Sequence, residues 1–408
     1  MRVDRSHSAL VFALMVAGCA GDKAPAVPAA IFPQFSKSPA DHAVFESGRA
    51  NLPIFPSDPN LYRDDEGYHL FFTTIFCQKD GQYYYAWDPL QPGGCNILNT
   101  VSTTGYAFSG DRGLTWIFRS APVVLSAADW AATKIETPFV VLWGDNLLLL
   151  FCATGSIGGQ ALPSRYQVGV AELGLQGRTL RQLFLDDNAT FTMRPEPLVP
   201  LVLSQTGWAN NTQEPSALVR DGHLEVFFLG LGLSLPDQDV SAAGQIVTSI
   251  GLGQAQFDQN LSLLAQSPAP VLAGINMPEV RWWDGAYHLF ATSLVSSDVH
   301  QGEDVTYSTS TDGQSWSAPI TILQHGQGSA FDSWGIMAPT AVAESDGYVL
   351  FYTGWQVEEH ACFPVAADGR FGMPIASERC LFPSVGRAAA APASQSNAAL
   401  LTPCVPGF

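Results

Sequence analysis

The sequence predicts an all-β fold, a five-bladed β-propeller of four-stranded antiparallel blades, and three observations lead there. Five stretches repeat one pattern, in which a proline heads a short strand, a polar turn follows, and an apolar strand comes after it. They are DPNLYRDDEGYHLFFTT (58–74), ETPFVVLWGDNLLLLFCATG (136–155), QEPSALVRDGHLEVFFLGLG (213–232), MPEVRWWDGAYHLFATS (277–293) and MAPTAVAESDGYVLFYTGW (337–355). Aligning Pro59, Pro138, Pro215, Pro278 and Pro339 gives spacings of 79, 77, 63 and 61 residues, room in each interval for one four-stranded sheet and its loops. Charged residues make up 14% of the chain, against a usual quarter, while Gly and Pro number 37 and 28 and long amphipathic helical patterns are missing. Turns and half-buried strands therefore dominate. A repeat that closes on itself makes a single domain ordinary in a chain of 408 residues.

At the N-terminus, Arg2 and Arg5 precede an apolar run from Ala9 to Gly18, too short to span a bilayer and the right length for a secretory signal. The run ends in Val16-Ala17-Gly18-Cys19, which resembles the lipobox of bacterial lipoproteins, where the cysteine is lipidated. The competing reading is an ordinary signal with a chance cysteine. The expected organisation is a signal peptide at 1–18, an Ala/Pro-rich tether at 19–35, the propeller at 36–385 and a C-terminal tail at 386–408. Such a protein is extracytoplasmic, held to a membrane only through Cys19, and in a host with two membranes it belongs on the outer one. A formal charge of −18 argues against nucleic acid or an anionic membrane face as partner.

Blade one starts at Pro59, turns at Asp65-Glu66-Gly67, continues through YHLFFTT and NTVSTTGYAFS, and reaches its fourth strand at Trp116. The turn before that strand, SGDRGLTW (109–116), has a variant in blade four, STDGQSW (310–316). Blades two, three and five show no such turn. The chain before Pro59 is expected to add a strand to blade five and close the ring. Of the 7 cysteines, six remain after Cys19, which allow fifteen connectivities. Cys77 with Cys95, and Cys362 with Cys380, close short loops. Cys152 sits inside an apolar strand, as a free thiol or as a partner of Cys404.

The functional weight lies beside the prolines, because Asp58, Glu136, Glu214 and Glu279 each stand within two residues of one. Positions before and after a proline share strand parity, so Asp58, Asn60, Glu214, Ser216 and Glu279 are expected to point alike, with Arg281 beside Glu279 and Glu136 one residue out of phase. Acids brought together around one axis suit cleavage of a glycosidic bond, which needs one carboxyl protonated and one ionised on opposite sides of the sugar. Alternatively, such acids satisfy backbone amides or an arginine. Trp208-Ala209-Asn210-Asn211 leads into Glu214, Trp130 precedes Glu136, Trp334 precedes Pro339, and Tyr83, Tyr84, Tyr85 and Trp87 fill the long loop of blade one. Aromatics and amides suit a sugar, but aromatics also plug gaps between blades. Metal-site and phosphate-loop motifs are missing. His300, Glu303 and Asp304 in one loop, and Glu358, Glu359 and His360 in another, offer donors for a divalent cation, but solvated loop charges are the simpler account.

Asp58-Pro59-Asn60 with its DxxGYHLFFT strand, the repeated E-P and x-P-x strand starts and the S-x-D-G-x-x-W turns together resemble the five-bladed glycosidase superfamily of arabinanases, β-xylosidases, levansucrases and invertases. The likeness covers roughly residues 45–385. It implies hydrolysis of poly- or oligosaccharides at the channel mouth, with Asp58 as base or nucleophile, Glu214 as proton donor and Glu136, in an E-x-P register, as a third acid. Asn60, Trp208, Asn211, Glu279, Arg281 and Trp334 become candidate sugar-binding residues, and the turns become Asp-boxes whose Asp111, Trp116, Asp312 and Trp316 are scaffold. A carbohydrate is the implied partner, the chain is expected to be a monomer, and no catalytic cofactor or metal is expected. Some relatives carry a channel-bound calcium, for which no residue here is assigned. The alternative is a propeller of the same ancestry that binds a glycan or protein at the cell surface without catalysis.

Overall fold

The computed structural model describes residues 32–37, 43–46, 54–85, 100–157, 160–199, 208–234, 247–293, 302–358 and 380–391. They form five antiparallel sheets. Blade one runs Ile54–Arg63, Tyr68–Lys79, Thr100–Ser109 and Ile117–Phe118, with a hairpin strand Gln82–Tyr85 on its second strand. Blade two runs Lys134–Trp143, Asn146–Ile157, Gln160–Gly174 and Thr192–Met193, and blade three Asn211–Arg220, His223–Leu233, Val247–Phe257 and Leu263–Gln266. Blade four contains Ile275–Trp283, Ala286–Ser293, Val305–Ser310 and Ile320–Leu323, and blade five Gly335–Glu344, Gly347–Glu358 and Cys380–Ala390. The fourth strand of blade five comes from the other end of the chain, Ser36–Lys37, with Ser36 opposite Ala389. This closes the ring as expected.

The first strand of each blade packs against the first strands of its two neighbours, so five inner strands surround one axis. Five hydrophobic clusters fill the five spaces between blades. Because both faces of each sheet are covered, second strands are apolar without alternation. In LLLLFCA, Leu147, Leu149, Phe151 and Ala153 pack toward blade one, while Leu148 and Leu150 pack toward blade three.

The domain limits are wider than the sequence suggested. Phe32 and Phe35 are buried between blades four and five, with the Phe32 ring centroid 4.2 Å from that of Tyr307, and the last strand continues to Ala390. Residues 32–35 thus belong to the propeller rather than to a tether. Asp111 accepts the amides of Leu114 and Thr115, and Asp312 those of Gln314 and Ser315. Trp116 then packs edge-on against Phe351 of blade five, and Trp316 against Phe227 of blade three, so each box ring wedges a pair of blades. Blade three has an equivalent turn the sequence did not reveal. Asp258 there accepts the amides of Asn260 and Ser262, with no tryptophan following.

Trp130 and Trp208 both pack between blades, the second of the two roles the sequence left open for its aromatics. Trp130 stacks on Phe151 above Gly169, and Trp208 stacks on Phe228 above Gly253, while Phe331, Tyr352 and Gly386 repeat the arrangement in blade five. A Cβ on Gly253 would come within 2.4 Å of the Phe228 ring. The glycines are therefore required by the rings that cover them. Tyr85, from the aromatic segment of blade one, is likewise buried against Phe76, its hydroxyl donating to the Arg119 carbonyl. Cys77 is fully buried, and the free cysteine among the described residues is Cys152. Cys19, Trp87, Cys95, His300, Glu359, His360, Cys362 and Cys404 lie outside the described residues, as do the side chains of Glu358 and Cys380.

Candidate active site

Each inner strand bulges at its proline. The residue before it has a left-handed backbone in all five blades, with φ of 49° at Asp58, 50° at Thr137 and Glu214, 48° at Met277 and 47° at Ala338. Register with the second strand slips across each of these residues. Proline denies the preceding residue the right-handed helical region, and a bulge needs a residue off the extended path, so the left-handed conformation is what remains. It costs roughly 1–2 kcal/mol for a residue with a Cβ. Five such residues at one level line a single cavity on the axis, together with their prolines and Asn60, Phe139 and Glu279. Of the five, two are acids: Asp58 and Glu214.

The bulge breaks the strand parity assumed from the sequence. Residues two after the bulge position sit deeper, and four of them tie the ring together. Asn60, Ser216, Glu279 and Thr340 each accept, through the side chain, a backbone amide of the next blade, from Val140, Val280, Ala341 and Leu61. Blade two has Phe139 here and breaks the series. Arg281 fills the space below it, with its guanidinium 5.0 Å from the Phe139 ring centroid. The same side chain donates to Glu279 at 2.7 Å, to the Leu61 carbonyl at 3.1 Å and to Thr340 at 3.2 Å. Glu279 and Arg281 are thus the channel floor, one layer below Asp58 and Glu214. Arg281 is thereby committed to protein partners, whereas Glu279, whose Oε1 takes the Ala341 amide, also lines the cavity. Asn60 also faces the cavity, its Oδ1 occupied by Val140 and its buried Nδ2 without a partner.

Glu214 is buried, and its Oε2 accepts the Met277 amide at 2.8 Å. Burial, then the neighbouring charge of Asp58, pushes its pKa well above the usual carboxylate range, against the opposing pull of the Met277 amide. Asp58 is held by its backbone, whose amide donates to Thr353 Oγ1 at 2.9 Å, while Ser57 Oγ donates to the carboxylate at 3.2 Å. Glu136 lies one residue before the bulge of blade two. It accepts the Tyr166 hydroxyl at 2.6 Å and pairs with Lys134 at 3.1 Å. Burial, then the charge of Glu136, holds the Tyr166 hydroxyl protonated far above its ordinary range, and Asp58 adds to this. Asp58, Glu136 and Glu214 therefore share one electrostatic neighbourhood.

Other expected site residues stand apart. Asn211 is fully buried, its Oδ1 accepting from Gln213, and Trp334 is half-buried at the head of the inner strand of blade five. Neither lines the cavity. Glu303, read as a solvated loop charge, is buried. Its segment is clamped to blade five by the Gly302 amide on the Trp334 carbonyl and the Ile336 amide on its own, and its charge is felt at Glu214. Tyr166 and the fully buried Arg165, which donates to the Asn210 carbonyl, were not found from the sequence. Both sit at the edge of an irregularity in the third strand of blade two that local pattern does not encode.

Among the described residues no three His, Cys, Asp or Glu side chains gather to hold a metal, and the floor of the channel is occupied by the Arg281 guanidinium. Asp304, one of the loop acids read from the sequence, accepts the amide and Nδ1 of His325.

No family model and no curated protein sequence matches the chain. Solved structures do. A family 117 glycoside hydrolase produced by the marine bacterium Zobellia galactanivorans is 14% identical, over 88% of this chain and 90% of its own, with a TM-score of 0.53. A thermostable family-43 glycoside hydrolase is 10% identical, over 84% and 92%, with a TM-score of 0.50. A third structure, described as a glycoside hydrolase, is 12% identical over 85% and 92%, at 0.52. These likenesses bear out the five-bladed propeller.

Proposed function

We propose that the chain is a glycoside hydrolase acting on oligo- or polysaccharides, with Glu214 as proton donor, Asp58 as base or nucleophile and Glu136 as the acid that tunes them. The observation that carries this reading is the pair Asp58 and Glu214 on one cavity, with burial and mutual charge holding Glu214 protonated. In the step that breaks the sugar linkage, Glu214 gives its proton to the glycosidic oxygen as the bond from carbon to oxygen opens. Asp58 either attacks that carbon or takes the proton of an attacking water. Glycoside hydrolases among the solved structures of this fold support the same chemistry.

Asp58→Asn is expected to keep its fold by circular dichroism and to cut hydrolysis of a responsive arabino-, xylo- or fructo-oligosaccharide by about 10³-fold or more, because an amide neither attacks nor abstracts a proton. Glu214→Gln should slow natural substrates more than aryl glycosides with good leaving groups. A wild-type protein that binds such a sugar without turnover, indistinguishably from Asp58→Asn, would leave a binding propeller in place of an enzyme.

The same reading includes an extracytoplasmic lipoprotein, supported by the Val16–Cys19 lipobox pattern, and a Cys77–Cys95 bridge, supported by the buried position of Cys77 at the start of its loop. Detergent phase partition tests the anchor. Wild-type protein should enter the detergent phase and Cys19→Ser should not, whereas a soluble wild type cleaved elsewhere excludes it.

A further inference from the structure

At three of the five bulges the amide of the bulge residue takes a side-chain acceptor on the second strand of the preceding blade. Thr73 accepts the Thr137 amide and Thr353 accepts the Asp58 amide, both at 2.9 Å, and the Cys152 sulfur accepts the Glu214 amide. These acceptors occupy one register position. Ser57 pairs with Thr73, Glu136 with Cys152, Gln213 with Leu229, Asn276 with Thr292 and Met337 with Thr353. Blade three is the exception, since Leu229 offers only carbon where the others offer oxygen or sulfur. The amide it leaves over is that of Met277, the residue at the bulge of blade four, and this is the amide that takes Glu214 Oε2 at 2.8 Å.

We propose that Leu229 is a positioning residue for Glu214. By withholding the hydroxyl that blades one and five supply, it obliges the Glu214 carboxyl to satisfy the Met277 amide, and so fixes the direction in which the other carboxyl oxygen presents its proton. A buried amide left without an acceptor costs about 1–3 kcal/mol, enough to hold one side-chain rotamer against its alternatives. Cys152 supports the same side chain from behind. It accepts the Glu214 amide and, at 3.0 Å, the Thr137 hydroxyl, and at 2% exposure it is sealed from reagents.

The inference rests on Glu214 as proton donor, and two isosteric substitutions test it. Leu229→Thr and Leu229→Val remove nearly the same volume and differ in one hydroxyl. In the Leu229→Thr protein the introduced hydroxyl is expected to take the Met277 amide and release Glu214. The expected result is a fall in kcat of about tenfold or more with a smaller change in KM, and a basic limb of the pH profile moved to higher pH, because Glu214 loses a donor to its charged form. Leu229→Val should stay within about threefold of wild type with an unmoved limb. Crystal structures of both variants read the Met277 to Glu214 contact directly, so they decide the geometry even if no sugar is turned over. Identical pH profiles and an intact contact in both variants would overturn the proposal. Should the threonine variant not fold, Leu229→Ser against Leu229→Ala makes the same comparison.

Discussion

Asp312 and Glu214 are both acids of this propeller, and their surroundings drive them in opposite directions. Asp312 sits in an outer turn, where the amides of Gln314 and Ser315 and the hydroxyl of Ser310 point at its Oδ1 and pull its pKa down to about 2. Asp111 in blade one does the same work, also at about 2. Glu214 lies on the axis, where burial and the charge of Asp58 outweigh its single amide and raise it. The outer acids serve the chain that carries them. The inner acid is held protonated by its surroundings, which agrees with the proton-donor role proposed for it.

Two substitutions sharpen that contrast, beginning with the larger. Trp316→Ala removes a ring wedged between blades three and four, against Phe227 and Tyr287, and should cost about 3 kcal/mol in a denaturant melt. Well below its melting point the variant should keep its kcat, since the ring is on the outer turn and not on the axis. A variant with normal stability would mean that the box ring does not hold the blades together.

Glu214→Gln should act the other way, gaining about 1 kcal/mol at pH 7 to 8 while losing activity. An acid whose pKa is raised on folding contributes its full stability below the unfolded value of 4.5 and loses it as pH rises toward the folded value. The glutamine keeps an oxygen for the Met277 amide and removes that loss. Its advantage should therefore vanish near pH 4 in thermal melts run across pH. An advantage independent of pH would show that Glu214 is not the group being desolvated.

Much of the fold is legible in the sequence because its signals are local. A proline near a strand start, a turn acid four or five residues before a tryptophan, and an apolar second strand all act over a few residues, and they fix the blade count and the two box turns. The apolar run LLLLFCA announces a strand covered on both faces. Asp58 and Glu214 were found because their position beside a proline is itself a local signal. The turn at Asp258 was missed because it lacks the aromatic that made the other two conspicuous.

The sequence by itself determined five proline-headed strands and the acids attached to them, since neighbouring residues set backbone preference and turn chemistry. Only the closed ring decided what each acid faces. Whether Glu279 takes the Ala341 amide, whether Trp208 lies over Gly253 and whether Glu303 is set near Glu214 depend on groups 62, 45 and 89 residues apart. Bulges at all five prolines shift the parity on which a strand pattern is read, and one leucine in blade three redirects an amide from a hydroxyl to Glu214. Such pairings arise only when strands of one blade and its neighbours have packed, and the last of them, between blades one and five, when the ring closes.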